Sequence, residues 1–289
     1  MIYDMVIAPF ADYGFMRRAL IACFALALGG GPIGTFLVLR RMSLMGDAMS
    51  HAILPGAAIG FLVAGLSIWS MSAGGLAAGL TVVLLAGLIS RTTALREDAS
   101  LAGFYLISLA LGVLIVSAKG SNIDLLHVLF GTILSVTDDA LLLIASIATL
   151  TLVTLAVIYR PLVIECFDPA FLRATTGGGT LWHFVFLVLV VVNLVAGFQA
   201  LGTLMALGLM MLPAAAARFW AGAVWSLAAL STVLAFLSGL VGLLLSYHFS
   251  LPSGPAIVLT AGAFYVGSIM LGTHDSLRTR YFPRAHFHD

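Results

Sequence analysis

Nine stretches of this chain are apolar for long enough to cross a bilayer: 19–39, 52–69, 72–90, 100–118, 139–159, 181–198, 200–217, 222–246 and 255–272. A helix spans hydrocarbon with about 17–25 such residues. Inside lipid every backbone N–H and C=O must find its partner within the protein, so a row of such runs folds as a helix bundle. The expected fold is an all-α polytopic integral membrane protein, one transmembrane domain over residues 1–289 with eight or nine spans. The count is open by one because only Gln199 and Gly202 divide the runs 181–198 and 200–217. Charged residues make up 9% of the chain and hydrophobic ones 62%, against about 25% charge in soluble domains, so the surface of a soluble protein could not be covered. The run Leu125–Leu134 is too short to cross and reads as re-entrant or as a cap. Residues 1–18 lack the parts of a signal peptide, so the first apolar run is expected to be a retained helix. With Cys23 and Cys166 the only cysteines, no disulfide framework is expected.

Basic residues set the orientation. With the N-terminus outside and nine spans, Arg40, Arg41, Arg91, Arg96, Arg160, Arg173, Arg218, Arg278, Arg280 and Arg284 fall inside. Arg17, Arg18 and Lys119 fall outside. The reverse orientation inverts that bias, so the C-terminal tail is placed in the cytoplasm.

Two ionisable residues stand at the entrance to the second run. Asp47 and His51 are four apart, on one face of a helix. A carboxylate oxygen and an imidazole nitrogen converging there make half a site for a divalent transition metal. The plainer reading is a polar helix start, with Asp47 near the positive end of the dipole. Spacing alone leaves both open. Pro55-Gly56, one turn on, predicts a bend or local unwinding. Glycines such as Gly75 and Gly79 have the small-x-x-x-small spacing that lets helices approach closely.

Residues 160–180 form the longest polar connection, on the inner side. Asp168-Pro169 reads as a helix start, N-cap followed by proline, and Gly177-Gly178-Gly179 as its stop. Phe167 and Phe171 would project from this short helix, together with Glu165, toward a partner's groove or onto lipid headgroups. No Gly-x-x-x-x-Gly-Lys-Ser/Thr phosphate loop is present, and Lys119 is the only lysine. The chain is therefore not expected to be an enzyme with its own ATPase motif.

Other polar residues are weaker candidates. His127 beside Asp124 can line a metal entry route or be an interfacial histidine. His183 and His248 read as structural, and Asn193 as a bond across helices. The tail 273–289 carries His286 and His288, either a cytoplasmic metal contact or a solvated end.

Four blocks, read together, resemble a known family. They are Arg40-Arg41-Met-Ser-Leu-x-Gly-Asp47-Ala-x-Ser-His51-Ala-x-Leu-Pro55-Gly56, Leu125-Leu126-x-x-Leu-Phe130-Gly131-x-x-Leu134, Leu212-Pro213-Ala214-Ala215-x-Ala217-Arg218 and Leu251-Pro252-Ser253-Gly254-Pro255. Their wording and order, between residues 17 and 272, resemble the permease subunits of bacterial zinc and manganese ABC importers. The resemblance implies a homodimer in the bacterial inner membrane, a separate ABC ATPase meeting the 160–180 coupling helix, and an extracytoplasmic metal-binding protein. It also implies Asp47 and His51 as ligands for a transported ion, with no resident cofactor and no nucleic-acid partner. The ion is expected to be zinc, partly from the tail histidines, with manganese or ferrous iron as alternatives. A cobalamin- or siderophore-type importer gives no reason for Asp47 and His51. A secondary transporter would show an internal repeat. An intramembrane metalloprotease would need a third ligand and a general base.

Overall fold

The computed structural model describes residues 3–65, 67–118, 133–168, 171–172 and 179–281. Its main helices are α1 (Gly14–Leu39), α2 (Ser43–Ala52), α3 (Leu54–Ala64), α4 (Ile68–Thr92), α5 (Glu97–Ala118) and α6 (Asp138–Phe167). They are followed by α7 (Gly179–Leu201), α8 (Thr203–Ala217), α9 (Val224–Phe249), α10 (Ser253–Leu271) and a final turn, α11 (Leu277–Tyr281). Among the described residues there is no strand.

Among the described residues eight helices are long and apolar enough to cross a membrane, α2 and α3 counting together as Ser43–Ala64, while α8 falls short. Its 15 residues reach about 22 Å at 1.5 Å per residue, against about 30 Å of hydrocarbon. Direction shows what α8 does. Gly30 and Gly34 of α1 face Met210 and then Ala214 of α8, so these two helices run parallel. Gly31 and Cys23 of α1 meet Ser231 and Gly239 of α9 in the opposite order. The turn at Gly202 (φ 83°) therefore reverses the chain between α7 and α8. Met205, Leu209, Met210, Ala214, Ala216 and Ala217 of α8 are buried in protein, so this short pass has little surface for lipid to cover.

Helix ends collect at two faces. At one, Arg18 lies 3.3 Å from Asp138, His248 Nε2 reaches the Met5 carbonyl at 2.8 Å, and Gln199 of α7 donates to Ser72 Oγ of α4 at 2.9 Å. At the other lie Arg40, Glu97, Glu165 and His183, and the His274 N–H bonds the Phe219 carbonyl at 2.9 Å. The start of α1 and the end of α10 thus lie at opposite faces, as the nine alternating runs require.

Two boundaries differ from the sequence expectation. The second span starts at Ser43, not at 52, because Asp47, Ser50 and His51 depress the hydropathy of a stretch that is nonetheless helical. The fifth continues past Pro161 to Phe167, where a loop was expected from 160. Leu162 is fully buried and Glu165 pairs with Arg40, and these tertiary contacts carry the helix past the proline.

Close backbone approach holds the bundle, as the glycine spacing predicts. A Cβ on Gly56 of α3 would run into the Gly74 carbonyl of α4, and one on Gly74 into the Gly56 carbonyl. At Gly75 and Gly79 it would stand 2.6 Å from Ile53 Cγ2 and from Val191 Cγ1. Asn193 bonds across helices, donating to Thr151 Oγ1 at 2.7 Å and to the Leu189 carbonyl at 2.8 Å. Replacing Gly56 by valine should lower thermal stability in detergent by about 1–3 kcal/mol, the usual penalty for overpacking. Gly87→Ala, which points into open space, should stay within about 0.5 kcal/mol. Equal melting of the two variants would contradict the packing account.

Candidate metal site and charged network

Helix α2 carries the Asp47–His51 pair. It follows a tight link in which Arg41 takes a left-handed conformation (φ 59°), and it ends at Ile53, where α3 begins with Pro55 in its first turn. Proline has no N–H to offer the preceding turn. The break is held by Ser108 of α5, whose hydroxyl donates to the Ala52 carbonyl at 3.0 Å. The predicted bend is thus a junction between two helices, with the histidine two residues before it.

Asp47 Oδ1 lies 3.7 Å from His51 Nε2, and the two side chains are 53% and 26% exposed. Asp47 is in the second turn of α2, and no side chain caps that helix. A macrodipole contribution fades within the first turn, so the helix-start reading loses its basis. The imidazole stacks on Tyr105 of α5, 6.3 Å between centroids and 27° between planes. His51 Nδ1 is buried without a hydrogen-bond partner. One carboxylate and one imidazole thus stand side by side, both partly exposed. Among the described residues no three His, Cys, Asp or Glu are placed to hold a metal.

A second constellation lies where the ends of four helices meet. Arg40 Nη2 of α1 bonds Glu165 Oε2 of α6 at 2.7 Å, with the side chains 5% and 13% exposed. Arg40 Nη1 meets His183 Nδ1 of α7 at 3.0 Å, and His183 Nε2 meets Glu97 Oε1 of α5 at 2.8 Å. His183 Nδ1 also lies 3.4 Å from Glu165 Oε1, so its imidazole stands between two carboxylates and the guanidinium. The guanidinium also lies 4.6 Å from the centroid of the Phe186 ring. Sequence reasoning missed this network. Its only signs were charges at the borders of apolar runs and a histidine one turn into a span.

The remaining candidates separate. Glu165 turns inward to Arg40 and His183, so it does not line a docking surface. Phe167 and Phe171 are exposed. Asp168 is the expected N-cap: its Oδ1 accepts the Phe171 N–H at 2.9 Å, and its carbonyl accepts Leu172 N–H at 3.3 Å. Pro169, Asp124, His127, His286 and His288 lie outside the described residues.

Comparison with known proteins decides the family. The model of the "ABC 3 transport family" matches residues 12–272. The chain belongs to the ABC 3 transport family. It is 32% identical over 260 residues to the manganese import system permease protein ScaB of Streptococcus parasanguinis, covering 90% of this chain and 91% of that one. It is 30% identical over 272 residues to the manganese transport system membrane protein MntC of Halalkalibacterium halodurans, covering 94% and 92%. A solved structure, PsaBC from Streptococcus pneumoniae in complex with Fab, has a chain that superposes with a TM-score of 0.85 at 29% identity. The match covers 97% of this chain and all of that one. As a member of this family the chain is a permease subunit of an ABC metal importer.

Proposed function

We propose that this chain is the membrane subunit of an ATP-driven importer for divalent manganese, and that Asp47 and His51 bind the ion in transit. The observation that carries the reading is the half-exposed carboxylate beside a histidine whose only close charged partner among the described residues is that carboxylate, near the end of its helix at Ala52. One oxygen and one nitrogen suit manganese, iron or zinc alike. The names of the two relatives favour manganese over the zinc expected from sequence, and the tail histidines behind that expectation lie outside the described residues.

Two ligands hold a transition metal weakly, and a homodimer supports a fuller shell. A second copy facing the first would bring the set to two carboxylates and two imidazoles.

Energy must come from another polypeptide, since no phosphate loop is present. The end of α6 is the surface best suited to receive it, with Phe167 and Phe171 exposed on either side of the Asp168 cap. The bias of arginines puts this end and the C-terminal tail in the cytoplasm. An extracytoplasmic binding protein would then deliver the ion at the opposite face.

In proteoliposomes containing the ATPase and the binding protein, Asp47→Asn and His51→Ala should each assemble normally and lower manganese uptake at least tenfold. Asparagine keeps the size of the side chain but loses the charge that a cation needs, so near-normal uptake by both variants would overturn the ligand assignment. Phe171→Asp should leave the permease folded while ATP hydrolysis no longer drives uptake. Wild-type uptake in that variant would remove the docking assignment.

A further inference from the structure

The Arg40–Glu165–His183–Glu97 network shares no residue with the Asp47–His51 pair, yet it stands between the two places where work must be exchanged. Arg40 closes α1, and Arg41 and Met42 alone separate it from α2, which carries Asp47 and His51. Glu165 is three residues before Asp168, whose carboxylate caps the segment bearing Phe171. His183 and Glu97 extend the network to the first turns of α7 and α5. Four helices are tied at one end, and nothing comparable ties them elsewhere among the described residues.

Chemistry distinguishes this contact from ordinary packing. Arg40 and Glu165 are almost wholly enclosed, and for static stability alone a well-packed apolar pair would serve as well or better. Charged groups have one property that leucines lack: on separation they regain water, which offsets the cost of uncovering the Phe186 ring beneath Arg40. Water has a place to enter. A cavity of about 540 Å³ adjoins the network, lined by Arg40, Arg41, Glu165, Phe167 and Arg218 among others.

We propose that these four residues form a hydratable latch that closes this end of the bundle and parts once in each transport cycle, when the ATPase moves the end of α6. The residues are positioning residues: they act on Asp47 and His51 through α1 and the Arg41 link, without touching the ion. The proposal rests on the importer reading above.

The test uses the complete transporter, with its ATPase and binding protein, in proteoliposomes supplied with manganese. Arg40→Met combined with Glu165→Leu removes both charges and leaves neither orphaned. A network that only holds the fold predicts assembly and turnover like wild type. The latch predicts normal assembly, KM for manganese within twofold, and kcat at least tenfold lower, because an apolar seal resists opening. Arg40→Lys, which keeps a charge that water can solvate, should retain a third or more of the wild-type kcat. Wild-type turnover in the double variant, or Arg40→Lys as slow as the double variant, overturns the latch.

A second measurement leaves the network intact. Spin labels on Asp98→Cys and Arg160→Cys, with Cys23→Ala and Cys166→Ser, should change separation by 5 Å or more between the resting and vanadate-trapped transporter. An unchanged distance overturns the latch even if the double variant does not assemble. Absence of ATP-dependent manganese uptake in the wild type would instead overturn the importer reading, so the two failures are distinguishable.

Discussion

Lipid tails are as apolar as leucine, so nothing hydrophobic draws two transmembrane helices together, and association rests on close backbone approach and buried polar contacts. The contact of Gly56 with Gly74 is where this bundle depends on it most. It seats α3 directly on α4, with Gly75 and Gly79 receiving Ile53 and Val191 beside it. The hinge at Ile53 and the helix before it are therefore held by backbone geometry. His51, two residues upstream, inherits that placement, and Tyr105 and Ser108 of α5 complete the support.

The few charges of the chain are concentrated accordingly. One group, Asp47 with His51, is partly exposed, and among the described residues no third His, Cys, Asp or Glu is placed to complete a metal site with it. The other, around Arg40, is closed, with Arg40, Glu165, His183 and Glu97 bonded to one another. A permease needs both kinds: a place where a cation is welcome but not trapped, and a contact that seals one end without resisting hydration. That division fits alternating access better than it fits a protease, which would require a complete ligand set and a base.

Much of this was legible in the sequence because membrane helices announce themselves by length and apolarity. The eight spanning helices and the shorter apolar helix α8 each overlap one of the apolar runs read from sequence, and the pair Asp47 and His51 stood out by spacing and by the family wording around it. The failures have specific causes. Hydropathy clipped the second span because its first ten residues carry a polar face. It ended the fifth at Pro161 because local rules cannot see Leu162 packing and Glu165 pairing beyond the proline. The same blindness made Glu165 look like a docking residue. The Arg40 network could not be read at all: its members are scattered from residue 40 to residue 183, and only the folded bundle brings them within hydrogen-bond reach.

The central claim is that a histidine and an aspartate of this chain touch the transported ion. Pulsed electron paramagnetic resonance on manganese bound to the assembled transporter tests it without relying on uptake. The account predicts nitrogen hyperfine coupling of the imidazole type, lost in His51→Ala while the transporter remains assembled. Bound manganese with no nitrogen coupling, or with the same coupling in His51→Ala, would contradict it.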